Sequence, residues 1–312
     1  MEDAEKIKRL AADYERAQRA LEALNRSYIS EEYILGRKIW TTWWLRFIGI
    51  AYDLSRSIKS KTPFGSRRAK GGPVFNNNID YSGTLALYDH KIAVYTCILG
   101  NYDQPQEPQF IPGNVDYILV TDGDFPANSA WKGIDVRSIR DVPDHDPSRV
   151  SRYVKCHPHL FLDEYDYSIY IDGNIKTIGD MRYLIHLLNP CGFIASLHRH
   201  RDCIYDELEQ CVRLRKDDPQ AMRRQIEVYQ NSGMPKHYGL IEANLMVRDH
   251  HNPVCREIME RWWREITQHS RRDQLALPFV LWQMGIPVGR IGRISNDVYQ
   301  IPSLRIQLHP KG

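Results

Sequence analysis

The chain has 312 residues, 42% of them hydrophobic, 26% charged and 11% aromatic, which fits a globular protein with room for one large domain and an appendage. Its formal net charge of +3 is concentrated: residues 33–70 hold nine basic residues and one acidic one. The remainder is mildly acidic, which argues against a nucleic-acid groove across the main domain. The six cysteines have no CxxC and no zinc-like spacing, and the charged start MEDAEKIKRL does not read as a signal peptide. Reduced thiols and a cytoplasmic setting are expected.

Residues 1–30 read as a coiled-coil-like helix. Ile7, Leu10, Tyr14, Ala17, Leu21, Leu24 and Tyr28 step by threes and fours, so this segment predicts a homodimer, or a helix lying on its own domain. Residues 31–78 follow as an aromatic and basic helix with a linker. Trp40, Trp44, Phe47, Ala51, Leu54 and Ile58 recur at helical spacing beside Arg37, Lys38, Arg46, Arg56 and Lys59. Over 31–60 that pattern suits either peripheral membrane contact or packing against protein. The apolar run is interrupted by Arg46 and Asp53 and is too short to span a bilayer.

Residues 79–312 form the main domain. KIAVYTCIL, VDYILVTD, GIDVRSI, YDYSIYID, CGFIASL and LIEANLMVR read as strands. Helical patterns fall around 148–157, 180–188, 203–216, 219–230, 253–268 and 272–284. This alternation predicts an α/β layer fold with a mostly parallel sheet, whose ligands sit beyond the carboxyl ends of its strands.

Several side chains fall at those ends. Asp172 and Asn174 bracket Gly173 and could hold Mg²⁺ or Mn²⁺ through oxygen, or simply bond their own turn. Arg149, Arg152 and Lys155 recur every third residue, as a diphosphate cradle or a solvated helix face would. Asp273 follows Ser270 at capping-box spacing and could equally be a carboxylate held rigidly as general base. Glu242 and Asn244 alternate with apolar neighbours and so share one face of a strand, and HRHRDCIYDE (198–207) follows the CGFIASL strand. The terminal LHPKG carries His309 and Lys311, either at the frayed surface or folding over a site.

Taken in order, KIAVYTCILGNYDQ, VDYILVTD, SRYVKCHPHLFLDEYDYSIYIDGNI, HRHRDCIYDE, YGLIEANLMVRDH and SRRDQLALPFVLW resemble a family of GT-A-type glycosyltransferases of plants and bacteria, long carried as a domain of unknown function. The resemblance covers about residues 90–290 and rests most on the motif around 151–175. It implies a Rossmann-like GT-A domain that moves a sugar from a nucleoside-diphosphate sugar, UDP-linked by expectation, to a saccharide or glycoconjugate acceptor in polysaccharide biosynthesis. It assigns the nucleotide to Thr96, Ile98, Asn101, Tyr102, Val120, Thr121 and Asp122, with Arg149, Arg152, Lys155 and Lys311 on the diphosphate. The metal, Mn²⁺ or Mg²⁺, falls to Asp172, Asn174 and His309. If the reaction inverts the anomeric configuration, which the sequence leaves open against retention, Asp273 is the first choice of general base and Glu242 the second. The family's Asp-X-Asp element has Asn174 in place of its second acid, which removes charge and should weaken the metal. A nucleotidyl- or phosphotransferase, or a non-catalytic coiled-coil scaffold with a relic domain, are the competing readings.

Overall fold

The computed structural model describes residues 87, 89–143, 146–295 and 297–307. The predicted helices of 1–30 and 31–60, the linker, His309 and Lys311 lie outside the described residues.

A six-stranded sheet is built from β1 (Ile92–Ile98), β2 (Val115–Thr121), β3 (Trp131–Asp135), β4 (Tyr167–Ile171), β6 (Phe193–Leu197) and β7 (Ile241–Asp249). Its order is β3-β2-β1-β4-β7-β6. β3, β2, β1 and β4 are mutually parallel, and β7 runs antiparallel between β4 and β6. All seven residues of β1 are buried, the near-continuous apolar run expected of a strand covered on both faces. The chain winds outward from β1 to β3, then returns to β4 on the other side of β1. The carboxyl ends of β1 and β4 therefore flank a topological switch point, where such sheets hold their ligands.

Alternate residues of β1 feed two cores. Ala93, Tyr95 and Cys97 pack with α1 (Pro147–Cys156), α5 (Pro253–Gln268) and α6 (Asp273–Gln283) through Val150, Val154, Ile258, Trp262, Leu277 and Val280. Ile92, Val94 and Ile98 face a second layer containing Tyr183, Leu184, Val298 and Leu304. A third cluster joins α3 (Ile204–Arg213), α4 (Pro219–Asn231) and α6, with Tyr229 stacked on Phe279 at 3.8 Å between ring centroids.

Three helices begin on an Asx-Pro pair. Asp146, Asp218 and Asn252 each accept two backbone N–H bonds, and proline follows at the first helical position, where its missing N–H costs nothing. α6 begins otherwise. The predicted capping box does not form, because Arg272 is the N-cap and Ser270 Oγ instead donates to Gln225 Oε1 and accepts from Arg272 N–H at 3.3 Å. Over 180–188 the predicted α-helix is a 3-10 segment (Arg182–Leu187), and the predicted strand at 133–139 stops at Asp135 and becomes a 3-10 turn.

Two short strands complete the fold. β5 (Ile175–Thr177) pairs antiparallel with β8 (Leu304–Ile306). This ribbon fastens the C-terminal segment beside the Asp172–Asn174 turn: Gln307 N–H donates to Asn174 O at 2.8 Å, and Asn174 Nδ2 donates to Gln307 O at 2.9 Å.

Candidate active site

A cleft of about 340 Å³ opens at the switch point, within the roughly 300–1,000 Å³ common for small-molecule sites. α1 forms one wall. Its apolar side packs on the sheet, and Arg152 and Lys155, one turn apart, reach the cleft together. The helix end that carries Lys155 is held from below. Arg248, 1% exposed, donates from Nη2 to Lys155 O at 2.7 Å and from Nη1 to Tyr95 OH at 3.1 Å, and Tyr95 OH donates to Lys155 O at 3.2 Å.

Asp273 stands between the two cations. Its Oδ2 lies 3.0 Å from Lys155 Nζ and 3.2 Å from Arg152 Nε, while Trp262 Nε1 donates to its backbone carbonyl at 2.9 Å. Burial pushes this carboxyl upward, but Arg152, Lys155 and Arg272 outweigh burial and hold it far below the usual carboxylate range. A group so firmly ionised and already engaged is a poor proton acceptor. The arrangement makes Asp273 the residue that positions Arg152 and Lys155, not the base that the sequence suggests.

Lys155 Nζ also lies 3.6 Å from Asp172 Oδ1 and 4.8 Å from the centre of the Tyr170 ring, and Tyr170 OH donates to Asp172 Oδ1 at 2.9 Å. Gly173 is required at this turn by close approach: a Cβ there would meet Ile98 Cγ1 at 2.9 Å and Asp103 Oδ2 at 3.1 Å. Asp103, which sequence reading passed over, thus sets a second carboxylate against the Asp172 turn and lines the cleft. Asp172 and Asp103 bring carboxylate oxygens, the donor type of a hard divalent cation, to the cleft, whereas Asn174 does not line it and donates its amide N–H to Gln307 O. The Lys155 ammonium and the neutral amide both lower the attraction for such an ion.

The opposite wall is β7. Glu242 and Asn244 face one side of the strand, as their alternation predicts, and both line the cleft. Glu242 Oε2 and Asn244 Oδ1 are buried atoms without a hydrogen-bond partner, a costly state unless a ligand uses them. Burial first, then the Asp297 and Asp172 carboxylates, push Glu242 up to about 7, against a downward pull from Arg199.

The other predicted residues divide. Tyr102 lines the cleft and is exposed. One residue earlier, Asn101 adopts a left-handed backbone (φ 54°), and Asp122 Oδ1 accepts from Gly100 N–H at 2.9 Å. Thr121 Oγ1 accepts from Gly123 N–H at 3.1 Å, so Thr121 and Asp122 shape the loops beyond β1 and β2. Thr96 and Ile98 point to the sheet's other face and do not line the cleft. Arg149 also lies away from it. Its Nη1 donates to Ile266 O and its Nη2 to His269 O at 3.0 Å, capping the carbonyl end of α5. The expected diphosphate role does not fit that placement. The cleft gains Lys216, outside every quoted motif, and Arg272, which lies in SRRDQLALPFVLW but was given no role there. In the segment 198–207, the charges largely satisfy one another: Arg201 Nε donates to Glu207 Oε2, and the buried His198 accepts from Arg201 N–H at 3.0 Å.

The sequence profile of the family described as TOD1/MUCI70, glycosyltransferase-like domain, matches residues 52–291, beginning well before the first strand. No curated protein matches the chain. Among solved structures the chain is similar to the apo structure of the WbbM bifunctional glycosyltransferase, at 12% identity and a TM-score of 0.40, over 69% of this chain and 39% of that one.

Proposed function

The chain belongs to the TOD1/MUCI70 glycosyltransferase-like domain family, and on that premise we propose that it transfers a glycosyl group from a nucleoside-diphosphate sugar, UDP-linked in the first instance, to a hydroxyl of a saccharide or glycoconjugate. The observation that carries this reading is the asymmetry of the cleft. Two organised cations stand on one wall, and a carboxylate without a partner stands on the other, at the switch point of the sheet.

Arg152 and Lys155 face the diphosphate and stabilise the charge that gathers on it as the bond to the sugar breaks. Asp273 holds both side chains in register, so little reorganisation is needed at that moment. Tyr102, with the loops shaped by Asn101, Thr121 and Asp122, receives the nucleoside. Glu242 Oε2 takes the proton of the attacking acceptor hydroxyl, with Asn244 Oδ1 accepting a hydrogen bond from the same substrate. A value near 7 suits that exchange at neutral pH. Asp172 and Asn174 are the residues that would hold Mn²⁺ or Mg²⁺, with His309, outside the described residues, as a further ligand and Lys311 as a further phosphate contact. When bound, the ion would supply Lewis-acid neutralisation of the diphosphate.

The test is a transfer assay with labelled UDP-, GDP- and ADP-sugars against a panel of oligosaccharide acceptors. Sugar appearing on an acceptor, and lost in Asp172→Ala and Glu242→Gln chains that still fold, is the expected result. Release of a nucleoside monophosphate or transfer of phosphate would replace it with the nucleotidyl- or phosphotransferase reading.

A further inference from the structure

No residue of the segment HRHRDCIYDE lines the cleft, yet its later residues start a second constellation. Cys203 is the N-cap of α3, and Asp206 lies in the first turn of the same helix, three residues on and thus on the same side. His237 comes from the turn after α4, so the three residues are brought together by the fold and not by local spacing. One donor atom from each lies within 4.8 Å of the other two, and among the described residues no other group of His, Cys, Asp or Glu gathers in this way.

We propose that Cys203, Asp206 and His237 bind a single Zn²⁺ ion, with the fourth position open to water. Three observations agree. The donors are a soft thiol, a borderline imidazole and a hard carboxylate, a mixed set that zinc accepts and that the thiol makes unsuited to the hard cations of the Asp172 turn. Cys203 is buried and forms no disulfide, whereas His237 is partly exposed, which leaves an entry path. The imidazole also has a carboxylate partner of the kind that metal-bound histidines use. His237 Nδ1 stands 2.8 Å from Asp202 Oδ1, and with that nitrogen donating to the carboxylate, Nε2 keeps the lone pair.

The approach needed is small. Tetrahedral zinc with bonds of about 2.0–2.3 Å puts its donors roughly 3.5 Å apart, so the three groups must close by little more than about 1 Å. The surrounding loop is already fastened by Gly239 N–H to Asp202 O at 2.9 Å and by Tyr205 OH to Met234 O at 2.7 Å. None of the three ligands lines the cleft. The ion clasps the start of α3 to the loop after α4, a different site and a different chemistry from the donor-sugar cation.

The experiment is a Co²⁺ titration of the metal-free full chain, followed by displacement with Zn²⁺. One equivalent of Co²⁺ is expected to give the near-ultraviolet thiolate charge-transfer band and the visible bands of tetrahedral cobalt. Cys203→Ser should abolish the thiolate band. His237→Asn, at an exposed position whose left-handed backbone asparagine tolerates, should weaken binding at least tenfold and keep the fold. Asp172→Ala should leave the titration unchanged, which separates this site from the proposed donor site. Zn²⁺ should raise the melting temperature of the parent chain but not of His237→Asn. A folded parent chain without a thiolate–cobalt band, or a band whose affinity is unchanged in His237→Asn, overturns the proposal.

Discussion

The two walls of the cleft treat charge in opposite ways. On the α1 and α6 side, Asp273 is ion-paired with both Lys155 and Arg152, although Arg152 Nε has no hydrogen-bond partner of its own. On the β7 side, Glu242 and Asn244 each keep a buried oxygen with no partner. Ion-paired charge in a low-dielectric wall is held in place, because part of its desolvation has already been offset within the fold. Unsatisfied oxygen carries a desolvation cost that nothing in the described residues offsets. The difference teaches that two buried carboxyls in one cleft can be pushed in opposite directions, Asp273 downward by its cations and Glu242 upward by burial.

Substitutions can break that contrast. The largest effect should come from Glu242→Gln, which removes the unsatisfied oxygen's basicity: kcat is expected to fall by roughly 10²–10⁴. In the parent enzyme, activity should rise with pH through about 7, and that limb should vanish in the variant. Stability should move the other way. Glu242 titrates at 4.5 when unperturbed and near 7 when folded, so the folded chain holds the proton longer and loses stability as pH rises across that window. Glu242→Gln should remove this loss, as read by denaturant midpoints at pH 5 and pH 8.

Asp273→Ala should damage the opposite wall through the fold, by about 3 kcal/mol in a urea titration, because it removes the carboxylate shared by Arg152 and Lys155 and leaves only the more distant Asp172 to oppose them. A carboxyl held below its unfolded value adds stability above that value and loses it in acid, so the deficit of Asp273→Ala should shrink as pH falls below about 4. Lys155→Met is expected to raise KM for the nucleotide sugar roughly ten- to a hundredfold, the worth of one charged hydrogen bond. Gly173→Ala should cost about 1–3 kcal/mol by overpacking against Ile98 and Asp103. Arg149→Ala should be the mildest: about 1 kcal/mol of stability from two lost carbonyl contacts, with donor binding unchanged. A large loss of donor binding in that variant would return Arg149 to the site.

The sheet was legible because its central strands are apolar along their whole length, and the helix at 253–268 because its period was clean. Glu242 and Asn244 could be found by alternation alone. The Arg149 misreading shows the limit of such patterns: spacing of three gives a shared face, but not what the next helix offers to that face. The supposed capping box failed for a related reason, since Ser270 found a buried partner in Gln225, 45 residues away. Asp103, Arg272, Cys203 and Asp206 lie inside the quoted stretches but received no role, and Lys216 and His237 lie outside them, because their groupings arise only from tertiary structure. The three-residue strands β5 and β8 carry too few residues for any period to register.

That last pairing sets an order of events. Asn174 and Gln307 lie 133 residues apart, so the ribbon closes across nearly half of the chain, and contacts of that span form slowly. The turn that carries Asp172 is therefore finished late, after the sheet beneath it can already exist. In pulse-labelling hydrogen exchange during refolding, the Gln307 amide should gain protection after the amides of β1 and β4, and competence to bind nucleotide sugar should return in step with Gln307, not with the sheet.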